Sequence, residues 1–128
     1  MKVALAQVDS TVGDLKGNLA LALAACARAR SRGAELVVFP EQALAGYPAL
    51  DLWEDPAFVR ANKQVLLTLA RSTGSMGVLI GFVEANRKRS GKPVFNAAAL
   101  LHRGRVAAVR RKSLLPTYDV FDEARYFE

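Results

Sequence analysis

The 128 residues include one cysteine, Cys26. No disulfide can close within the chain, and a reducing compartment, most simply the cytoplasm, suits it. Long apolar runs are missing too. The longest uncharged one, residues 19–27, is far shorter than the roughly 20 residues a bilayer crossing needs, so no transmembrane helix and no membrane partner is expected. The "LAAC" at residues 23–26 mimics a lipoprotein cleavage box. Asp9, Asp14 and Lys16 precede it, however, whereas a signal peptide has a basic start and an unbroken apolar middle. Acidic residues are in deficit: 12 against 18 Lys and Arg, for a net charge of +6. The basic excess sits in "NRKRSGK" (86–92) and "HRGRVAAVRRK" (102–112). Neither stretch interleaves an aromatic that could stack on bases, and no helix-turn-helix or zinc-ligand spacing occurs. Both read as solvated hairpin turns, with Arg87, Lys88, Arg89 and Lys92 exposed; no nucleic-acid partner and no metal site is expected.

A hydrophobic fraction of 52% suffices for one core, and the length suits one domain. "KVALAQV" (2–8) reads as a strand. "NLALALAACARARSRG" reads as a helix capped by Asn18 and stopped by Gly33, with Leu19, Ala22, Leu23, Cys26 and Ala27 on its inner face. "ELVVFP" is a short apolar strand of the kind covered on both faces. "DPAFVRANKQVLLTLARSTG" carries Asp55 as N-cap, Pro56 in the first turn and Gly74 at its end. Its predicted inner face is Phe58, Ala61, Val65, Leu66 and Leu69. "MGVLIGFVEA", "VFNAAALL" and "RVAAVRR" follow as strands joined by short turns. The order β-α-β-α-β-β-β predicts an α/β fold, parallel early and antiparallel late. The aromatic and acidic "KSLLPTYDVFDEARYFE" has no clear period and no helix; it reads as a site wall.

Glu41 follows the strand "ELVVFP", and Lys112 follows "RVAAVRR". Functional groups in open α/β sheets gather beyond the carboxyl ends of strands. A carboxylate and an ammonium brought together there suit chemistry on an amide: one takes a proton from a nucleophile, the other faces a developing oxyanion. A plain ion pair, or two unrelated surface charges, fits the spacing equally well. Apolar neighbours in sequence predict a raised Glu41 pKa.

"VVFPEQALAGYP" together with "RRKSLLPTYDVFDEARYF" resembles the nitrilase superfamily, whose catalytic set is Glu, Lys and Cys. "GYPALDLWEDPAF" and "TYDVFDEARYF" narrow the resemblance to the N-terminal glutaminase domain of glutamine-dependent NAD+ synthetases. That resemblance implies a nitrilase-like α-β-β-α sandwich, of which residues 1–128 would be the incomplete N-terminal part, with the synthetase domain absent. It makes Glu41 the general base and Lys112 the stabiliser of the tetrahedral intermediate. Tyr47, Tyr118, Phe121 and Glu123 would line the L-glutamine pocket, Glu123 meeting the α-ammonium. Blander roles stand beside these: Tyr47 as turn packing, Tyr118 as a loop cap, Glu123 paired with Arg125. No cofactor is implied for this domain; ATP, Mg2+ and deamido-NAD+ would belong to the synthetase domain, and the intact family forms homo-oligomers. The nucleophilic cysteine would come after the last residue, because Cys26 sits on a packed helix face. On this reading the chain alone does not hydrolyse glutamine. A stand-alone nitrilase-like amidase and a non-catalytic binding or assembly module are the alternatives.

Overall fold

The computed structural model describes residues 1–88 and 90–128, so the predicted exposure of Arg89 lies outside the described residues. Five strands form one sheet in the order β1-β2-β3-β4-β5: β1 Val3–Leu5, β2 Leu36–Val38, β3 Gly77–Ala85, β4 Val94–His102 and β5 Arg105–Arg111. β1, β2 and β3 run parallel, while β4 and β5 are antiparallel additions. The helices α1 (Leu15–Ser31) and α2 (Pro56–Arg71) connect the parallel strands. This is the predicted element order, with two short pieces added: a 3-10 turn over Leu50–Glu54 and a four-residue helix α3, Glu123–Tyr126. α3 escaped prediction because one turn carries no measurable period.

Each strand presents one side to the helices. Val37, Val78, Ile80, Phe82, Ala97, Ala99 and Leu101 pack with Ala22, Cys26, Leu66 and Leu69 in the main core. The alternate residues take the opposite face of the sheet. There Leu79, Ala98 and Leu100 are only half-buried, and at the β1 edge Leu5 is 81% exposed.

The caps explain where the helices begin. Asp55 caps α2 as predicted, accepting from Ala57 N at 2.7 Å ahead of Pro56. α1 starts earlier than predicted: Asp14, not Asn18, is its N-cap, accepting from Gly17 N at 2.8 Å. Asn18 is buried inside the helix instead. Its side chain accepts from Thr11 N and donates to Thr11 O and Leu44 O, pinning two loops together. The inner faces are also rotated from prediction. α1 buries Asn18, Ala22, Ala25, Cys26 and Ala29 and leaves Ala27 exposed. α2 buries Val59, Asn62, Leu66, Leu69 and Ala70, with Phe58, Ala61 and Val65 only partly covered. Alanine-rich and mixed helices offer several near-equivalent apolar stripes, and the sheet selects one.

A second cluster lies at the C-terminal end of the parallel strands. Trp53 packs its ring 5.2 Å from Phe58 and 6.3 Å from Phe127, beside Val83, Val94 and Tyr126. Glu128 N donates to Val94 O at 2.9 Å, so the last residues run along β4 and hold α3 against the sheet.

Candidate active site

β2 delivers Glu41 through Phe39 and Pro40. Phe39 N still donates to Leu79 O, extending the ladder one step past the strand. The chain then turns sharply, with Gln42 at φ 49° and Gly46 at φ 76°. This turn is fastened to the loop before α1 by Ser10 Oγ to Ala43 O and Gly13 N to Ala45 O, both 2.8 Å. Gly46 is required there, because a Cβ would fall 2.7 Å from Val12 backbone atoms. On the other side Gly81 of β3 lets the Glu41 segment lie against the sheet. Glu41 is therefore held by backbone on both sides while its side chain stays partly open, 44% exposed.

Lys112 leaves the end of β5, its N–H donating to Asn96 O at 2.8 Å. Its Nζ donates to Glu41 Oε1 at 3.0 Å and to Glu123 Oε1 at 3.1 Å. The two predicted charges thus meet, as a three-membered cluster rather than a pair. Glu123, at the start of α3, is 4% exposed and also accepts from Tyr47 Oη at 2.9 Å. A buried carboxylate is tolerated only when paired and hydrogen-bonded, and Lys112 and Tyr47 meet that condition. Glu123 does not pair with Arg125, which lies 3.9 Å from Asp51 instead. Tyr47 reaches Phe121 with ring centroids 6.3 Å apart, and Tyr118 stands edge-on to Phe121 at 5.6 Å while remaining 69% exposed.

Asn96 is the site residue that sequence reading missed. It is 2% exposed on β4, and its Nδ2 donates to Glu41 Oε1 at 2.5 Å and to Glu123 Oε2 at 3.4 Å. The available signal was an amide inside the apolar run "VFNAAALL", since a buried polar group needs partners. A cleft of about 400 Å³ opens beside Glu41, Asn96 and Lys112, lined also by Phe39, Leu79, Gly81 and Arg110; Tyr47, Tyr118, Phe121 and Glu123 are not on its wall.

The electrostatics correct one expectation. Burial pushes Glu41 upward, but hydrogen bonds from Lys112 and Asn96 and the Lys112 charge outweigh it and hold the carboxyl below the usual range. The prediction of a raised value considered apolar sequence neighbours and not donors from distant strands. Burial also opposes the Lys112 charge, yet Glu123 and Glu41 keep it raised and protonated. Burial and the Glu123 carboxylate lift the Tyr47 phenol far above neutrality, so it stays a donor. Cys26 is 3% exposed on the packed face of α1, away from the cleft, and burial raises its thiol despite Arg30. Among the described residues, no cluster of three or more His, Cys, Asp or Glu side chains could hold a metal ion, and no helix is long and apolar enough to cross a membrane.

Comparison with known proteins gives this geometry a context. The carbon-nitrogen hydrolase family profile matches residues 2–128. The glutamine-dependent NAD(+) synthetase of Thermotoga maritima is 43% identical over 130 residues, covering 100% of this chain and 22% of that protein. The structure of the glutamine-dependent NAD+ synthetase from Acinetobacter baumannii superposes with a TM-score of 0.89 at 32% identity, over 98% of this chain and 23% of that one. An amidase from Nesterenkonia sp. superposes with a TM-score of 0.81 at 27% identity, over 100% of this chain and 47% of its own. The chain thus spans under a quarter of the length of the synthetases it resembles and about half that of the amidase.

Proposed function

The chain belongs to the carbon-nitrogen hydrolase family, and from that membership we propose that it forms the N-terminal part of a glutaminase domain supplying ammonia to an NAD+ synthetase. The observation that carries the proposal is the Glu41–Lys112 contact of 3.0 Å at the floor of an open cleft, in a chain 43% identical along its whole length to such a synthetase. Glu41, ionised at rest, takes the proton of a thiol. The thiolate then adds to the amide carbon of L-glutamine, and Lys112 faces the oxygen that becomes negative. Collapse of that intermediate expels ammonia, which carries off the proton from Glu41, and water later hydrolyses the thioester. Glu123, with its oxygens already engaged, orients Lys112 rather than meeting the substrate ammonium. Tyr118 and Phe121, packed together beside Tyr47, are assigned in this reading to the amino-acid end of glutamine.

Cys26 cannot be the thiol, so the nucleophile lies outside these 128 residues. In this reading ATP, Mg2+ and deamido-NAD+ act in a separate synthetase domain, and the intact protein is a cytoplasmic homo-oligomer. The alternative of a stand-alone amidase draws on the Nesterenkonia likeness, which is weaker in both identity and superposition. The test is ammonia release from L-glutamine by the protein at the length of its synthetase relatives. Glu41→Gln and Lys112→Met should each lower kcat by roughly 10²–10³; a wild-type rate in either would remove that residue from the mechanism.

A further inference from the structure

We propose that Asn96 is a positioning residue: its side-chain amide ties the Glu41 and Glu123 carboxylates together, and its main chain ties Lys112 to both. Asn96 lies within β4, opposite Val83 of β3, so ladder pairing fixes its backbone. Its carbonyl accepts from Lys112 N at 2.8 Å. Its Nδ2 reaches Glu41 Oε1 at 2.5 Å and Glu123 Oε2 at 3.4 Å, the same two carboxylates that the Lys112 ammonium contacts. The four groups close a ring of alternating donors and acceptors.

The ring solves an electrostatic problem. Two carboxylates around one ammonium repel each other and compete for it. A second cation would neutralise the base, and an apolar residue would leave acceptors unmet in a buried setting. An amide adds two N–H donors without charge. The groups facing Glu41 come from several elements: Lys112 after β5, Glu123 on α3 and Tyr47 in the loop, with Arg110 and Arg111 lining the same cleft. Of the two side chains that donate to Glu41, Lys112 is charged and Asn96 is neutral, and Asn96 is anchored on an interior strand of the sheet. Strands seldom hold Asn, and here the exception falls under the reactive pair.

The functional weight of Asn96 rests on Glu41 being the base, but the test does not require turnover. Glu41 carboxyl carbon is followed by NMR through an acid titration, in the chain and in Asn96→Ala, which keeps the main-chain bond to Lys112. The Glu41 midpoint should move to higher pH, because one hydrogen bond favouring the carboxylate is gone. In the glutamine-hydrolysing protein, kcat/KM should fall about 10–100-fold and its acid limb should move the same way. Should Asn96→Ala fail to fold, Asn96→Thr, which suits a strand, is read in the same titration with the same expected direction. A folded variant with an unmoved Glu41 midpoint, even at lower Tm, would reduce Asn96 to packing and overturn the proposal. A protein inactive on glutamine that still shows the titration shift would sink the glutaminase reading and leave the role of Asn96 standing.

Discussion

Replacing Gly81 with alanine tests whether β3 sets the position of Glu41. Gly81 pairs with Ala98 across the β3–β4 ladder, and its N–H donates to Pro40 O at 3.3 Å. A Cβ at this position would fall 2.7 Å from Glu41 Cα and 2.7 Å from Pro40 O, and nearer still to Gln42 N. All three are backbone atoms, so no side chain can swing aside. Carbon atoms pack at about 3.5–4.0 Å, so the Glu41 segment must retreat by about 1 Å. Such overpacking costs about 1–3 kcal/mol, and weakening the bond to Pro40 adds about 0.5–1.5 kcal/mol. Relief of glycine's own strand penalty returns about 0.5–1 kcal/mol. The net loss is about 2 kcal/mol, within a range of about 0.5–4 kcal/mol, a fall of about 1 M in urea midpoint. Gly77 on the same strand is the matched control. Its Cβ would meet the tips of Leu36 at 3.1 Å and Leu100 at 3.8 Å, which are side-chain atoms able to give; Gly77→Ala should lie within about 0.5 kcal/mol of the parent. Urea unfolding followed by fluorescence of Trp53, buried in the second cluster, reads both. Equal stability of the two variants would refute the reasoning. In the active protein, a base displaced by about 1 Å should cost about 10²-fold in rate.

The remaining predictions concern acid and thiol. Because the folded-state pKa of Glu41 lies below its ordinary value of 4.5, its contribution to stability is fully present above that value and is lost as pH falls through the folded one. Urea unfolding across this acid range should therefore show a steeper decline for the parent than for Glu41→Gln, and parallel curves would contradict the sign. Cys26 should resist an aromatic disulfide reagent until the chain unfolds, since burial both shields its thiol and keeps it protonated. The 128-residue chain should release no ammonia from glutamine, before or after Cys26→Ser; turnover that vanishes with that substitution would place Cys26 in the site.

Local rules were legible and distant ones were not. α2 was readable because Asp55, Pro56 and the breaker at Gly74 act on adjacent backbone. The three late strands were readable because short polar stretches, residues 86–93 and 103–104, separate apolar runs. The start of α1 was misjudged because Asn18 and Asp14 are both competent caps, and the choice depends on Thr11 and Leu44 claiming Asn18. At the site, sequence placed Glu41 and Lys112 correctly after two strands. It did not reveal the donors that set their ionisation, because Asn96 is 55 residues from Glu41, and Lys112 is 71. Chain distance hides such partners even when each residue is noticed separately.

The order in which these partners occur along the chain has a consequence for synthesis. Glu41 emerges first, then Asn96, then Lys112, and the deeply buried Glu123 last, 11 residues after its lysine. At about 5–20 residues per second, the 71 residues separating Glu41 from Lys112 take about 4–14 s. The acid that cannot be buried alone is made only after its ammonium exists, so the growing chain has no stage at which folding must bury Glu123 before its lysine has been made.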